Sequence, residues 1–284
     1  MKILVTGSKG QLGFDVINEL EKRGYTARGT DVEEMDITDS AAVKEVLSDV
    51  SPDAVIHCAA WTAVDLAEDE PEKVMTVNAL GTKNIALVCE ALGIKMMYIS
   101  TDYVFGGGGT HFWDEDESGF APLNVYGRTK YEGEVAVKTI LEKYFIVRIS
   151  WVFGVNGKNF VKTMLNLGKT REEISVVNDQ FGSPTYTYDL SRLLVDMIET
   201  EKYGCYHATN EGVCTWYDFA VEIFKTAGLN VKTVPVTSGQ YPAKAKRPSN
   251  SRLSKEKLTR NGFTPLPAWQ DAVKRCIEAM NNGG

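Results

Sequence analysis

Thr6-Gly7-Ser8-Lys9-Gly10-Gln11-Leu12-Gly13 joins a short aliphatic run, Ile3-Leu4-Val5, to a segment in which Leu12, Val16 and Leu20 share one helical face. Its glycine spacing is G-x-x-G-x-x-G. Glycine at a tight turn permits positive φ, the missing side chains let a pyrophosphate approach the backbone, and the last glycine lets the helix pack close to the sheet. The helix start then offers free N–H groups and partial positive charge to phosphates. A glycine triplet alone is no more than a turn. Set between a strand and a helix, it marks a dinucleotide site, with Gly7, Gly10, Gln11, Leu12 and Gly13 as its residues.

The same rhythm continues outward. Ala54-Val55-Ile56, Met96-Met97-Tyr98-Ile99 and Phe145-Ile146-Val147 are further aliphatic runs. A long helical pattern with Ile85, Val88 and Leu92 on one stripe, and a helix from about Tyr126, lie between them. Continuous rather than alternating apolar strands indicate a parallel sheet covered on both faces. The fold class is therefore α/β, a Rossmann-type doubly wound sheet. After Trp151 the rhythm changes. Helices are expected near 160–167, 190–198, 216–227 and 269–280, a strand at 204–208, and loops around Pro235, Pro242, Pro248, Pro265 and Pro267. This predicts a smaller, partly interleaved C-terminal substrate lobe of residues 153–183 and 209–284. The dinucleotide-binding domain spans 1–152 and takes part of 184–208. The glycine run 106–109 and the acidic run 114–117 read as a solvated loop, or as one that moves over a ligand.

The 284 residues are 43% hydrophobic and 24% charged, with a net charge of −7. That balance argues against a nucleic-acid partner, which needs a basic surface. No apolar run reaches the roughly 20 residues of a bilayer span, and the N-terminus lacks a signal-peptide pattern, so the expected location is the cytoplasm, with no membrane partner. Five scattered cysteines and three isolated histidines imply neither a disulfide framework nor a metal site.

Asp31 falls just after the second strand, where a carboxylate binds ribose hydroxyls and disfavours a 2′-phosphate, whereas nearby Lys9 and Arg28 could offset it. The cofactor is thus NADH or NADPH. Asp36 and Ile37 either hold adenine or form an exposed turn, and the small Ala59 and Ala60 at the third strand's end leave room for the dinucleotide. Tyr126 and Lys130 are four apart on one helical face. An ammonium beside a phenol stabilises the phenolate, which makes the pair an acid–base candidate. Thr101, at the end of the preceding strand, can hydrogen-bond either the phenol or a substrate carbonyl.

These segments resemble the extended short-chain dehydrogenase/reductase family, and within it the dTDP-4-dehydrorhamnose reductases. The segments 10–13, 59–65, 100–105, 126–130, 148–154, 179–185 and 247–251 carry the resemblance, which spans the chain. It implies hydride transfer from reduced nicotinamide to C4 of a 4-keto-6-deoxy nucleotide sugar, giving dTDP-L-rhamnose. Tyr126 would supply the proton, Lys130 would bind the nicotinamide ribose, and Thr101 would tune the transfer. Thr101, Asp102 and Trp151 match the sugar-contacting positions, with Val64 and Tyr103 beside them. Arg247 either meets the diphosphate or belongs to a solvated basic patch with Lys244, Lys246 and Arg252. Trp216 and Tyr217 are expected to pack the lobe's core. Other readings are a related nucleotide-sugar reductase or epimerase, and a non-catalytic regulatory subunit like that of methionine adenosyltransferase. A homodimer is possible.

Overall fold

The computed structural model describes residues 1–117, 119–241 and 243–283; Pro242, one of the loop prolines, lies outside the described residues. Strands β1 (Lys2–Thr6), β2 (Thr26–Thr30), β3 (Ala54–His57), β4 (Lys95–Thr101), β5 (Tyr144–Ile149) and β6 (Gly204–His207) form one parallel sheet in the order β6-β5-β4-β3-β1-β2. Alternate side chains leave opposite faces of each strand. Ile3, Val5 and Ile56 pack on one face beneath α1 (Gln11–Lys22) and α6 (Thr187–Ile198), while Leu4, Val55 and Met96 pack on the other. The helices of that second face are α2 (Ser40–Val50), α3 (Thr82–Leu92) and α4 (Val125–Ile140), which contribute Val43, Leu47, Ile85 and Val137. Burying each such side chain is worth roughly 1.5–3 kcal/mol, so the sheet is held from both sides.

Winding reverses between β1 and β3, since β2 lies on one side of β1 and β3 on the other. At such a switch point a crevice opens beyond the carboxyl ends of the strands. β2 is the strand no aliphatic run announces: Thr26-Ala27-Arg28-Gly29-Thr30 is an edge strand with alternating exposed positions. The stripe on α3 also differs from expectation. Ile85, Ala86 and Cys89 are its buried residues, and Leu92 stands 48% exposed. α3 carries aliphatics around its circumference, so apolarity alone does not show which side meets the sheet.

The second half of the chain adds α5 (Phe160–Gly168), α7 (Trp216–Thr226) and α8 (Trp269–Asn281), gathered on Phe153, Phe219 and Trp269. Two prolines expected in loops lie in strands instead. Pro235 is within Lys232–Val236, paired with Glu173–Val177, and Pro267 is within Leu266–Ala268, paired with Asn210–Glu211. Both belong to two-stranded sheets, where every strand is an edge and a missing N–H is tolerated. Near the site, Phe181–Gly182 is the central strand of a small sheet between Cys214–Thr215 and Asn250–Ser251.

The glycine run is only partly solvated. Gly107 is buried with φ 65°, and a Cβ there would lie 2.6 Å from the Cβ of Pro248. Its carbonyl accepts hydrogen bonds from Asn250 N and Ser249 Oγ, each at 2.9 Å. In the acidic run, Asp114 and Asp116 are exposed, but Glu115 turns inward and its carbonyl accepts from the buried Arg148. Trp113, stacked on Phe105 at 4.8 Å, anchors the segment between them.

Candidate active site

The carboxyl ends of β1, β3, β4 and β5 open onto one cleft of about 990 Å³. At one end lies the glycine turn. Gly7 has φ 65°, and a Cβ there would sit 2.8 Å from the Ala59 backbone; a Cβ on Gly13 would collide with the Gly7 carbonyl. On Gly10 a Cβ would approach only the Gly7 carbonyl, so this position otherwise faces open space. No side chain caps α1, which leaves its first amides, at the cleft-lining Gln11, Leu12 and Gly13, without a side-chain acceptor. This bare cradle fits a pyrophosphate. Asn156 ties it down by donating to the Lys9 and Gly10 carbonyls at 2.9 and 3.2 Å, and Asn159 donates to Gln11 Oε1 at 3.0 Å.

Asp31 lines the cleft, and its Oδ2 accepts from Ser8 Oγ at 2.8 Å and Lys9 N at 2.9 Å. Neither basic candidate is poised to offset it. The Lys9 ammonium pairs with Glu33 and Glu34 at 2.5 and 3.3 Å, and Arg28 is exposed on the edge strand. Asp36 is half-buried. It lines the cleft with Ile37, and its Oδ1 accepts from Thr38 N and Oγ1 in a turn. Ala59 and Ala60 form the opposite wall.

The other end of the cleft holds Val64, Thr101, Asp102, Tyr103, Tyr126, Lys130 and Trp151. Asn124 caps α4 by accepting from Gly127 N at 2.8 Å, which fixes Tyr126 in the first turn. A Cβ on Gly127 would collide with the Tyr103 carbonyl, so this glycine lets α4 seat against the segment after β4. Thr101 Oγ1 donates to Asp102 Oδ1 at 3.0 Å and sits beside the Tyr126 phenol, whose pKa it pulls down. Asp102 is 3% exposed and its Oδ2 has no partner; burial pushes its carboxyl up to about 6.

One level down α4, Lys130 Nζ donates to the Ile99 carbonyl at 2.7 Å and lies 4.1 Å from the Tyr98 ring centroid. Burial lowers its pKa to about 7, opposed by Glu134 on the next turn. Glu134 is itself paired with the buried Arg148, through Nε and Nη2 at 2.8 Å, and accepts from Ser100 Oγ at 2.6 Å. The expectation of a phenol acidified by lysine needs correction. Burial pushes Tyr126 above the usual tyrosine value, Thr101 is what pulls it down, and Lys130 makes no resolved contribution. Surroundings low in polarity penalise both charged forms, and the ammonium's attachment to a backbone carbonyl spends part of its field there.

Trp151 has φ 50°, a region that costs a non-glycine residue of order 1–3 kcal/mol and persists only where its surroundings enforce it. Its ring stacks on Trp216 with centroids 3.9 Å apart. Trp216 is thus not simply a core residue. With Phe160 it lines this cleft and also an adjoining cavity of about 790 Å³. Tyr217 remains packed against the lobe's apolar cluster. Arg247 is the one proposed site residue outside the cleft. It lines the adjoining cavity with Lys246, Gln180 and Tyr241, and its guanidinium grips Asp65 at 2.6 and 3.1 Å. Sequence reasoning missed Trp216, Phe160 and Lys158 as cleft residues. Only a helix-start signal, Thr215 with Asp218, marks the position of Trp216.

Among the described residues, no group of three or more His, Cys, Asp or Glu side chains is placed to hold a metal ion, and no helix is long and apolar enough to cross a membrane. The five thiols are free.

Comparison with known proteins agrees with this geometry. The model of the RmlD substrate binding domain family matches residues 1–282. Spore coat polysaccharide biosynthesis protein SpsK of Bacillus subtilis is 38% identical over 99% of this chain and 98% of its own. The dTDP-4-dehydrorhamnose reductase of Escherichia coli K12 is 39% identical over the same shares. Among solved structures, the dTDP-4-dehydrorhamnose reductase of Clostridium acetobutylicum is 42% identical with a TM-score of 0.96, covering 99% of this chain and 100% of that one. The Bacillus anthracis enzyme, solved in complex with NADP, is 44% identical with a TM-score of 0.95, covering 98% and 99%. More distant neighbours, such as the UDP-glucose 4-epimerase of Thermus thermophilus at 18% identity, share the fold. A family match from end to end and relatives this similar over nearly their whole length place this chain in the RmlD family of dTDP-4-dehydrorhamnose reductases.

Proposed function

We propose that the chain reduces the C4 keto group of dTDP-4-dehydro-L-rhamnose to the alcohol of dTDP-L-rhamnose, using NADH or NADPH. A reduced nicotinamide bound in the cleft supplies the hydride. The observation that carries the reading is the grouping of Tyr126, at the start of α4, with Thr101 and Asp102, at the end of β4, on the wall of the cleft that also holds the glycine cradle. Tyr126 Oη gives its proton to the oxygen on C4 as the carbonyl becomes an alcohol. Thr101 steadies the phenol before transfer, and Lys130, one helical turn away, is placed to hold the cofactor's ribose and favour the phenolate left behind.

The reduction needs one acid, and Tyr126 is that group. A dehydratase would place a second carboxylate after Asp102, where this chain has Tyr103. The adjoining cavity, with Arg247 and Lys246, suits the thymidine diphosphate because a guanidinium fork matches phosphate oxygens. Diphosphate binding would draw Arg247 away from Asp65. We place the enzyme in the cytoplasm: five unpaired thiols suit a reducing compartment. A homodimer stays within this reading, and light scattering measures it directly.

The test is turnover. Purified protein with dTDP-4-dehydro-L-rhamnose is expected to oxidise NADH or NADPH stoichiometrically, with a product two hydrogens heavier. No oxidation with either cofactor overturns the assignment.

A further inference from the structure

The indole of Trp151 stands at the reacting end of the cleft in a backbone conformation that a tryptophan does not hold unaided. Two elements hold it. On one side is Trp216, stacked at 3.9 Å with ring planes 16° apart, itself backed by Phe160 at 4.7 Å. Gly182 also lies against the ring, so close that a Cβ there would lie 2.8 Å from Cε2 of Trp151. One small sheet sets both supports: Gly182 lies in it and Trp216 directly follows it, with Cys214 paired to Gly182 and Thr215 to Phe181.

The placement of Trp216 is itself fixed. It is the first residue of α7, directly after Thr215, which accepts from Asp218 N at 3.1 Å while Asp218 Oδ2 accepts from Thr215 N at 2.9 Å. On its other edge the small sheet carries Ser251, close enough to Asp102 to offset part of the burial penalty on its carboxylate. One three-stranded element therefore braces Trp151 and contacts Asp102, without touching the glycine cradle. Trp216 and Phe160 also form the shared wall of the cleft and the adjoining cavity. A substrate with its sugar in one and its nucleotide in the other must pass along that wall.

We propose that Trp216 and Gly182 are positioning residues for the sugar nucleotide: together they clamp the Trp151 indole, and the indole pair presents a flat apolar wall to the C–H face of a deoxy sugar ring. This rests on the reading of the cleft as that of a nucleotide-sugar reductase. Aromatic faces pack well on apolar groups, and such a wall favours a methyl over a hydroxymethyl substituent. The clamp acts on the sugar nucleotide and not on the dinucleotide, whose cradle lies at the opposite end.

The experiment compares wild type, Trp216→Ala, Trp216→Phe and Gly182→Ala. It measures KM for dTDP-4-dehydro-L-rhamnose, kcat, the Kd of NADPH by fluorescence, and the thermal midpoint. Trp216→Ala is expected to raise KM about tenfold or more. Trp216→Phe recovers most of this, and kcat and NADPH affinity stay within about threefold of wild type. Gly182→Ala raises KM in the same way with Trp216 intact, so the test does not hang on one variant's folding. Unchanged KM in either Trp216→Ala or Gly182→Ala overturns the proposal. So does an equal loss of KM, kcat and NADPH affinity without rescue by phenylalanine, which marks a general structural role. The wild-type arm separates this from the function itself: if wild type fails to turn over the sugar, the reductase reading falls and takes the clamp with it. If only the variants behave unexpectedly, the clamp alone falls.

Discussion

The dinucleotide cleft and the adjoining cavity share Phe160 and Trp216 as a wall, yet they are built in opposite ways. The cleft is made at the ends of neighbouring parallel strands, so its residues follow closely on strand ends: Gly7 after β1, Asp31 after β2, Ala59 after β3, Thr101 at the end of β4. The cavity is lined from stretches far apart in the chain, among them Gly106–Gly108, Val176–Gln180 and the loop around Lys246 and Arg247. A strand end gives a side chain a fixed direction before any loop is built. A loop does so only after distant segments meet, as when Asn124 accepts from Gly127 N and donates to the Lys246 carbonyl. On the proposed function, chemistry belongs to the rigid side, and choice of substrate to the assembled side.

The sharpest way to break this division is Tyr126→Phe. It removes one oxygen on the rigid side and is expected to lower kcat by about 10²–10⁴-fold, with NADPH affinity and thermal midpoint unchanged. Stopped-flow turnover and a binding titration check it. A variant that keeps more than a tenth of wild-type kcat would remove the phenol from the reaction.

A smaller effect is expected at Asp102, inside the cleft. Its folded carboxyl titrates near 6 against 3.8 for the free group, because burial penalises the charge. The folded state therefore holds the proton more tightly than the unfolded chain. Stability is full below about pH 4, falls as pH rises towards 6, and is reduced by up to about 3 kcal/mol above that. Asp102→Asn should be more stable than wild type at pH 8 by up to that amount and equal to it at pH 4. Calorimetry of the ligand-free protein at the two pH values measures this, and a difference independent of pH would contradict it.

Arg247→Ala tests the assembled side. Losing one charge-assisted phosphate contact is worth about 1.5–3 kcal/mol, so KM for the sugar nucleotide should rise by roughly 10–100-fold while kcat holds. A fall in kcat with unchanged KM would move Arg247 to the chemical end and erase the division.

The same contrast explains what could be read in advance. The glycine turn, the strand ends and the Tyr126–Lys130 spacing are local patterns, legible because backbone geometry alone decides where they point. Trp216 and Gly182 were not legible as site residues. Their role depends on a two-residue strand pairing that brings residues 181–182 and 214–215 together, and no periodicity marks that pairing. The inward turn of Glu115 within an acidic run is invisible for the same reason: its partner, Arg148, comes from the core of the sheet. The phenol's pKa also lay beyond spacing, because burial outweighs its neighbours.

The account stands on a hydride delivered to C4 of the sugar across from the Tyr126 hydroxyl. NADPH deuterated at the transferable C4 position, turned over with dTDP-4-dehydro-L-rhamnose and followed by NMR, reads that event directly. One deuterium on C4 of the product sugar is the expected result. Deuterium retained on the nicotinamide, or found at another sugar carbon, would contradict it.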